Sequence, residues 1–91
     1  MSTCTIRPSI TDEDIDNGRQ DDCEECPVAL AIARELTAEK FCGFLLSVQR
    51  ERVVINNGEY LLPPIAVRFI EEFDSGGTVG PFSFALEVER D

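Results

Sequence analysis

The cysteines are the first residues whose type and spacing suggest chemistry. Cys23 and Cys26 form a Cys-x-x-Cys pair directly before Pro27, and a thiol at a helix N-terminus forms a thiolate more readily. The two glutamates between the thiols oppose that effect. A structural zinc site needs four ligands, and a chain without histidine would have to add Cys4 and Cys42, neither of which has knuckle spacing. We expect four free thiols and no cofactor or metal, with a Cys-dependent zinc or redox protein as the alternative.

The acidic residues are the second chemical feature. The chain has 18 acids and 8 bases, a net charge of -10. Eight acids lie close together near the N-terminus: Asp12, Glu13, Asp14, Asp16, Asp21, Asp22, Glu24 and Glu25. The first three aspartates begin like a calcium-binding EF-hand loop, but its sixth position is Asn17 instead of Gly and its twelfth is Cys23 instead of Glu. Calcium is therefore not expected here.

Two interpretations of these eight acids remain. They form a solvated surface that keeps the protein soluble, or they resemble the spaced charges of a nucleic-acid backbone and bind a basic groove on a partner. In the second case charge complementarity would speed the encounter with that partner. We take the eight acids as the candidate partner-binding residues.

Several functional classes are disfavoured by composition. A chain this acidic has no basic face for direct binding to nucleic acid. No apolar stretch approaches the about 20 residues of a membrane span, and no secretory signal is visible, so a cytoplasmic location is expected. The acid pairs Glu71 with Glu72 and Glu87 with Glu89 lack a nucleophile or a histidine beside them. We therefore expect a protein that is not an enzyme.

A short acidic helix is predicted near the N-terminus. Thr11 precedes it as an N-cap with Asp14 three residues on, which is the spacing of a capping box. Gly18 fits a left-handed C-terminal cap. Ile10 and Ile15 have the spacing of a hydrophobic staple, which would fix this helix to the body of the protein.

The rest of the chain predicts one domain, residues 1–91, with an acidic strand-helix-loop segment at 1–26 and an α+β body at 27–91. The predicted elements begin with a strand over 1–8, a polar loop over 18–25, a helix over 27–36 and a hairpin over 41–55. A turn at Asn56-Asn57-Gly58 and a short strand over 59–61 indicate a second hairpin. A helix from Pro63-Pro64 and a strand over 82–88 follow, and the stripe of that helix is Ile65, Phe69, Ile70 and Phe73. This order indicates a small, mainly antiparallel sheet of about four to five strands, packed by two helices on one face. A split βαβ (ferredoxin-like) arrangement is the nearest named topology.

Five segments carry a resemblance: Ile10–Gly18, Cys26–Ile32, Tyr60–Pro63, Phe69–Asp74 and Pro81–Phe84. Their patterns, which include CPxALAI, FIxxFD and PFSF, resemble those of small hypothetical proteins from bacteriophage and prophage genomes. The resemblance implies a phage or bacterial cytoplasmic setting. It implies no activity and carries over no functional residue.

Together these observations predict a non-enzymatic, acidic, phage-type accessory protein that acts by binding. Its expected partner is a bacterial host protein with a basic surface, and its expected effect is inhibition of a defence or nucleic-acid-binding protein of the CRISPR or restriction kind. A small structural or oligomeric protein is the other alternative. Because the last strand is strongly apolar, we also expect that strand to pair across a two-fold axis in a homodimer.

Overall fold

The computed structural model of the protein describes residues 2–20, 22–39, 41, 43–56 and 58–90. These residues form ten elements: β1 (Ser2–Ile6), β2 (Ser9–Ile10), α1 (Asp12–Asn17), α2 (Pro27–Ala38), β3 (Leu46–Val48), β4 (Arg52–Ile55), β5 (Gly58–Leu61), α3 (Pro64–Asp74), β6 (Phe82–Ser83) and β7 (Leu86–Arg90). The predicted α+β class with antiparallel pairing is confirmed.

The two ends of the chain pair with each other as one antiparallel ribbon. β1 pairs with β7 and β2 with β6, and the second pairing continues the register of the first. The ladder is interrupted at Pro8, whose carbonyl accepts the N–H of Phe84 at 3.2 Å. Proline has no N–H to return this bond, so the ribbon is divided into two short sheets. The predicted last strand keeps its alternation of buried and exposed residues but is split in two at this point.

The middle of the chain forms a second, three-stranded sheet in the order β3-β4-β5. Both hairpins of this sheet were predicted, and both are antiparallel. Asn56 occupies the left-handed region (φ 55°) in the second turn, where asparagine is tolerated better than most residues. Asn57 of the predicted turn lies outside the described residues.

The strand pairing differs from the predicted single sheet and from a split βαβ topology. In that topology β1 lies between the last strand and a hairpin strand and pairs with both, whereas among the described strands β1 pairs with β7 alone. β7 is the ribbon strand that contacts the hairpin sheet, because its Glu89 N–H donates to the Tyr60 hydroxyl on β5 at 3.0 Å. The strand contributed by the C-terminus therefore separates β1 from the hairpin.

α2 is the central helix of the core. Val28, Ala31 and Ile32 on this helix are fully buried, and the helix contacts β1, β2 and β3. Pro27 begins the helix as predicted, because its fixed φ suits the first turn and its missing N–H would be unpaired there in any case. α2 therefore joins the terminal ribbon to the hairpin sheet.

α3 buries a slightly different stripe from the predicted one. Ala66, Phe69, Ile70 and Phe73 are buried, but Ile65 is 51% exposed, so its predicted place in the stripe is wrong. Ala66 takes that place because it lies three and four residues before the next two members of the stripe. The Phe69 ring also contacts Phe82 of β6, with 4.8 Å between ring centroids.

Gly18 is needed for a different reason from the predicted one. Its φ of -72° is not left-handed. A Cβ atom at this position would lie 2.5 Å from Cδ of Pro27, closer than real Cβ contacts come. The end of α1 therefore packs directly against the first residue of α2, and only glycine permits that approach.

Candidate protein-binding surface

α1 is fixed at its beginning by the predicted capping box. The Thr11 Oγ1 atom accepts the Asp14 N–H at 3.1 Å, and Asp14 Oδ2 accepts the Thr11 N–H at 2.9 Å. Ile10, before the cap, is buried, and Ile15 packs partly buried against the core. Both residues of the predicted staple thus lie on the core side.

A salt bridge between α1 and α2 fixes the helix further. The Arg34 guanidinium donates to both carboxylate oxygens of Asp14, each at 2.9 Å, and Nη2 also donates to the Ser9 carbonyl at 2.7 Å. Asp14 is only 5% exposed. The hydrogen bonds from Arg34, with those from Thr11, hold the pKa of Asp14 below its usual value despite the opposing effect of burial. Arg34 therefore joins α1, α2 and β2 through one side chain.

The loop after α1 is also ordered by its own side chains. Asp22 Oδ1 accepts the N–H groups of Glu24 and Glu25, both at 2.9 Å, and the Asp22 carbonyl accepts the Cys26 N–H at 3.2 Å. The Arg19 N–H donates to the Glu25 carbonyl at 2.9 Å, and their side chains form an exposed salt bridge at 3.1 Å. The predicted polar loop is thus a hydrogen-bonded turn.

The eight candidate acids consequently divide into groups with different roles. Asp14 is buried in its salt bridge, so its predicted place on the binding surface is wrong. Asp22 holds the turn, Glu25 is paired with Arg19, and Asp21 lies outside the described residues. Of the eight candidate acids, the four that are exposed and form no described salt bridge are called the acidic surface: Asp12, Glu13, Asp16 and Glu24.

Helix energetics do not account for every acid on α1. Asp12 and Glu13 lie in the first turn, where negative charge is favourable to the helix. Asp16 lies near the other end, where it is unfavourable, and Asp12 and Asp16 are like charges one turn apart, about 5–6 Å between Cβ atoms. A six-residue helix is too short to be stable alone. The capping box and the salt bridge therefore offset this repulsion and hold the acids in place.

Cys26 has a structural position. Its buried Sγ atom accepts the Ala29 N–H at 3.4 Å as the N-cap of α2, a role we did not predict although its place before Pro27 indicated it. Burial raises the pKa of the Cys26 thiol, the opposite of what a redox-active Cys-x-x-Cys pair requires. Cys4, Cys23 and Cys26 are free, and no metal-binding group of three or more Cys, Asp or Glu occurs in the described part of the chain. Cys42 lies outside it.

Substitution of Cys26 distinguishes a cap from a redox thiol. Cys26→Ser keeps a cap acceptor and should leave the melting temperature close to that of the parent, whereas Cys26→Ala should cost about 1 kcal/mol. Cys23→Ser is the matched control and should be neutral, since Cys23 is exposed. Thermal unfolding measures all three variants. Equal destabilisation by Cys23→Ser and Cys26→Ser, or unfolding on adding a chelator, would instead favour a paired or zinc-binding role.

Leu61 and Ile65, at either side of the start of α3, are apolar residues whose exposure was not predicted. Leu61 is 78% exposed and borders an open cavity of about 450 Å³, also lined by Leu62 and Val67. The signal for Leu61 was present in the alternation of β5, in which Tyr60 is directed inward and Leu61 outward. Nothing in the structure indicates what would cover this patch.

The structure contains no helix, within the described residues, that is long and apolar enough to cross a membrane. Comparison of the chain with protein families, with curated proteins and with solved structures found no match.

Proposed function

We propose that the protein is a non-enzymatic, phage-type inhibitor that binds a bacterial defence protein through the acidic surface. The partner would offer a basic groove that normally holds nucleic acid, as in CRISPR or restriction proteins. The observation that supports the proposal is the placement of four exposed acids without a salt bridge on a segment anchored by the Asp14–Arg34 pair.

The fixed backbone of this segment favours binding. A flexible acidic tail must lose conformational freedom when it binds, which reduces the net affinity. The capping box, the salt bridge and the turn at Asp22 order the backbone before any partner arrives. More of the electrostatic attraction would therefore appear as binding free energy.

The charge of the whole chain acts in the same direction. A net charge of -10 on 91 residues repels nucleic acid and attracts basic surfaces, which raises the rate of encounter with them. The acidic surface would then select the orientation in which its carboxylates meet the basic side chains of the groove.

The opposing interpretation is a solvated surface without a partner. The two interpretations differ in whether the effect of reversing four charges depends on where those charges lie. If the acids only keep the protein soluble, the number of charges matters and their location does not. If they form a binding surface, reversal of these four charges should differ from reversal of four others.

The test compares two variants with the same change in net charge. The acidic-surface variant is Asp12→Lys, Glu13→Lys, Asp16→Lys and Glu24→Lys. The control is Glu71→Lys, Glu72→Lys, Glu87→Lys and Glu89→Lys, which reverses four exposed acids on α3 and β7. Each is expressed in bacteria that carry a restriction or CRISPR system, and plaque formation by a susceptible phage is counted.

We expect the parent and the control to restore plaque formation and the acidic-surface variant to lose this effect. With the purified defence protein at about 150 mM salt, the association rate of that variant should fall by about 100-fold, since steering raises association rates by that order or more. A neutral version with Asn and Gln at the same four positions, which disturbs α1 less, should show a smaller loss. The proposal is contradicted if a folded acidic-surface variant inhibits the defence protein as well as the parent does. It is also contradicted if both Lys variants lose inhibition equally, or if the parent does not restore plaque formation.

A further inference from the structure

β1 is the outer strand of the terminal ribbon, and one of its edges is open. It pairs with β7 on one side, and no described strand pairs with it on the other. No backbone hydrogen bond from residues 2–6 occurs outside that ladder in the described part of the chain. Thr3 and Thr5 are exposed. β1 therefore presents unpaired backbone groups to its surroundings.

The register determines which groups these are. The Glu89 N–H donates to the Tyr60 hydroxyl, so it is directed away from β1, and its partner Thr3 belongs to a pair without ladder hydrogen bonds. Residues in an antiparallel ladder alternate between the two kinds of pair. The Phe84 N–H bonds to the Pro8 carbonyl, so these two residues form a hydrogen-bonded pair. Thr5 and Thr3 lie an odd number of residues before Pro8 and therefore belong to pairs of the other kind. The N–H and C=O groups of Thr3 and Thr5 are therefore directed towards the open edge.

From this edge we infer that two copies of the chain pair through β1, antiparallel, about a two-fold axis at Cys4. Thr3 of each copy then lies opposite Thr5 of the other. Because both residues direct their backbone groups outward, this register forms four backbone hydrogen bonds between the copies and also overlaps the whole of Ser2–Ile6. The result is a continuous four-stranded sheet, β7-β1-β1-β7.

The distribution of charge favours a second copy as the occupant. Charged residues and proline are features with which edge strands usually prevent such pairing, and β1 contains neither. Glu87 and Glu89 on β7 lie opposite Thr5 and Thr3, so these carboxylates of the two copies would be about 14 Å apart, three strand spacings. That distance exceeds the Debye length of about 8 Å at physiological salt. Two chains of charge -10 can therefore meet along this strand.

Two other sheet edges, those of β7 and β3, are each occupied at one position. The outer edge of β7 is occupied at Glu89, whose N–H donates to the Tyr60 hydroxyl, so the terminal strand expected to pair across the two-fold axis faces the hairpin sheet instead. The edge of β3 is occupied at Val48, whose N–H donates to the Cys23 carbonyl at 2.7 Å. This proposal does not depend on the proposed function.

The first test removes the outward N–H of Thr5. Thr5→Pro is tolerated in an edge strand where the N–H faces outward, so the variant should fold. It removes two hydrogen bonds from each dimer and should weaken the dimer by about 30-fold in sedimentation equilibrium. Thr5→Val keeps the N–H and is the matched control, expected to dimerise as the parent does.

The second test measures the register and does not depend on proline. Thr3→Lys with Thr5→Lys places lysine opposite lysine in both cross-strand pairs, and this variant should be a monomer. Thr3→Lys with Thr5→Glu places lysine opposite glutamate in both pairs, and dimerisation should return. A parent protein that is monomeric at high micromolar concentration overturns the proposal. So does a dimer that neither Thr5→Pro nor the paired lysines weaken.

Discussion

Replacing Arg34 by alanine should destabilise the protein by about 3 kcal/mol, a large fraction of the total for a domain of this size. The Arg34 side chain makes three hydrogen bonds, two to Asp14 and one to the Ser9 carbonyl. Without it, the Asp14 carboxylate stays buried and keeps only the N–H of Thr11 as a described partner. An unpaired buried charge is among the few causes of large single-residue effects.

The cost of losing Arg34 lies at the low end of the range for broken buried pairs because the site is only partly enclosed. The Arg34 side chain is half-exposed, so part of its attraction to Asp14 is screened by water in the parent protein. α1 is also a short surface helix, and it can move to let water reach the carboxylate. Both effects lower the cost of the substitution.

Urea unfolding of Arg34→Ala measures this effect, and Arg68→Ala is the matched control. Arg68 is an exposed arginine on α3, so its loss should change the free energy of unfolding by no more than about 0.5 kcal/mol. A double-mutant cycle with Asp14→Ala should give a coupling of about 1–3 kcal/mol, because the two side chains bond directly. Equal effects of Arg34→Ala and Arg68→Ala would show that the pair does not hold α1.

The elements that sequence alone predicted well are those with local signals. The capping box at Thr11, the proline at the start of α2 and the turn at Asn56 each depend on residues within a few positions of one another. The alternation along β1 and β7 was visible for the same reason, since the two faces of a strand differ at every second residue. Such signals specify elements and the faces that they bury.

The arrangement of the strands could not be predicted in this way. β1 pairs with β7 across most of the chain length, and no local pattern selects that partner over a hairpin strand. Either pairing would bury the same apolar faces. The separation of β1 from the hairpin therefore became visible only in the fold.

The roles of the candidate acids also depend on a contact between residues far apart in the sequence. In the sequence Asp14 is one of eight acids in a run, and Arg34 is twenty residues away among eight bases. Only the packing of α1 on α2 distinguishes the acid that anchors the segment from the acids that remain exposed. Because Asp14 is the anchor and the exposed acids are the proposed contacts, a substitution at Asp14 should lower the stability of the fold directly and should affect binding only through the position of α1.

Replacing Asp14 by asparagine should lower the free energy of unfolding by about 2 kcal/mol at pH 7, and the difference from the parent should disappear in acid. The pKa of Asp14 is lower in the folded protein than its value of about 3.9 in the unfolded chain, because Arg34 and Thr11 donate to the carboxylate. The unfolded state therefore binds the proton first as the pH falls. The stability contributed by this group is fully present above the unfolded value and is lost as the pH falls through the folded one.

The measurement is urea unfolding of both proteins at a series of pH values from 7 to below 4. Protonation of the other acids also changes stability by reducing the self-repulsion of the chain, so the quantity to follow is the difference between the two curves. Asp16→Asn, in the same helix but exposed, is the control at pH 7 and should change stability by less than about 0.5 kcal/mol. If the difference between parent and Asp14→Asn persists unchanged at low pH, the ionised form of Asp14 does not stabilise the fold, and the salt bridge cannot be what holds the acidic surface in place.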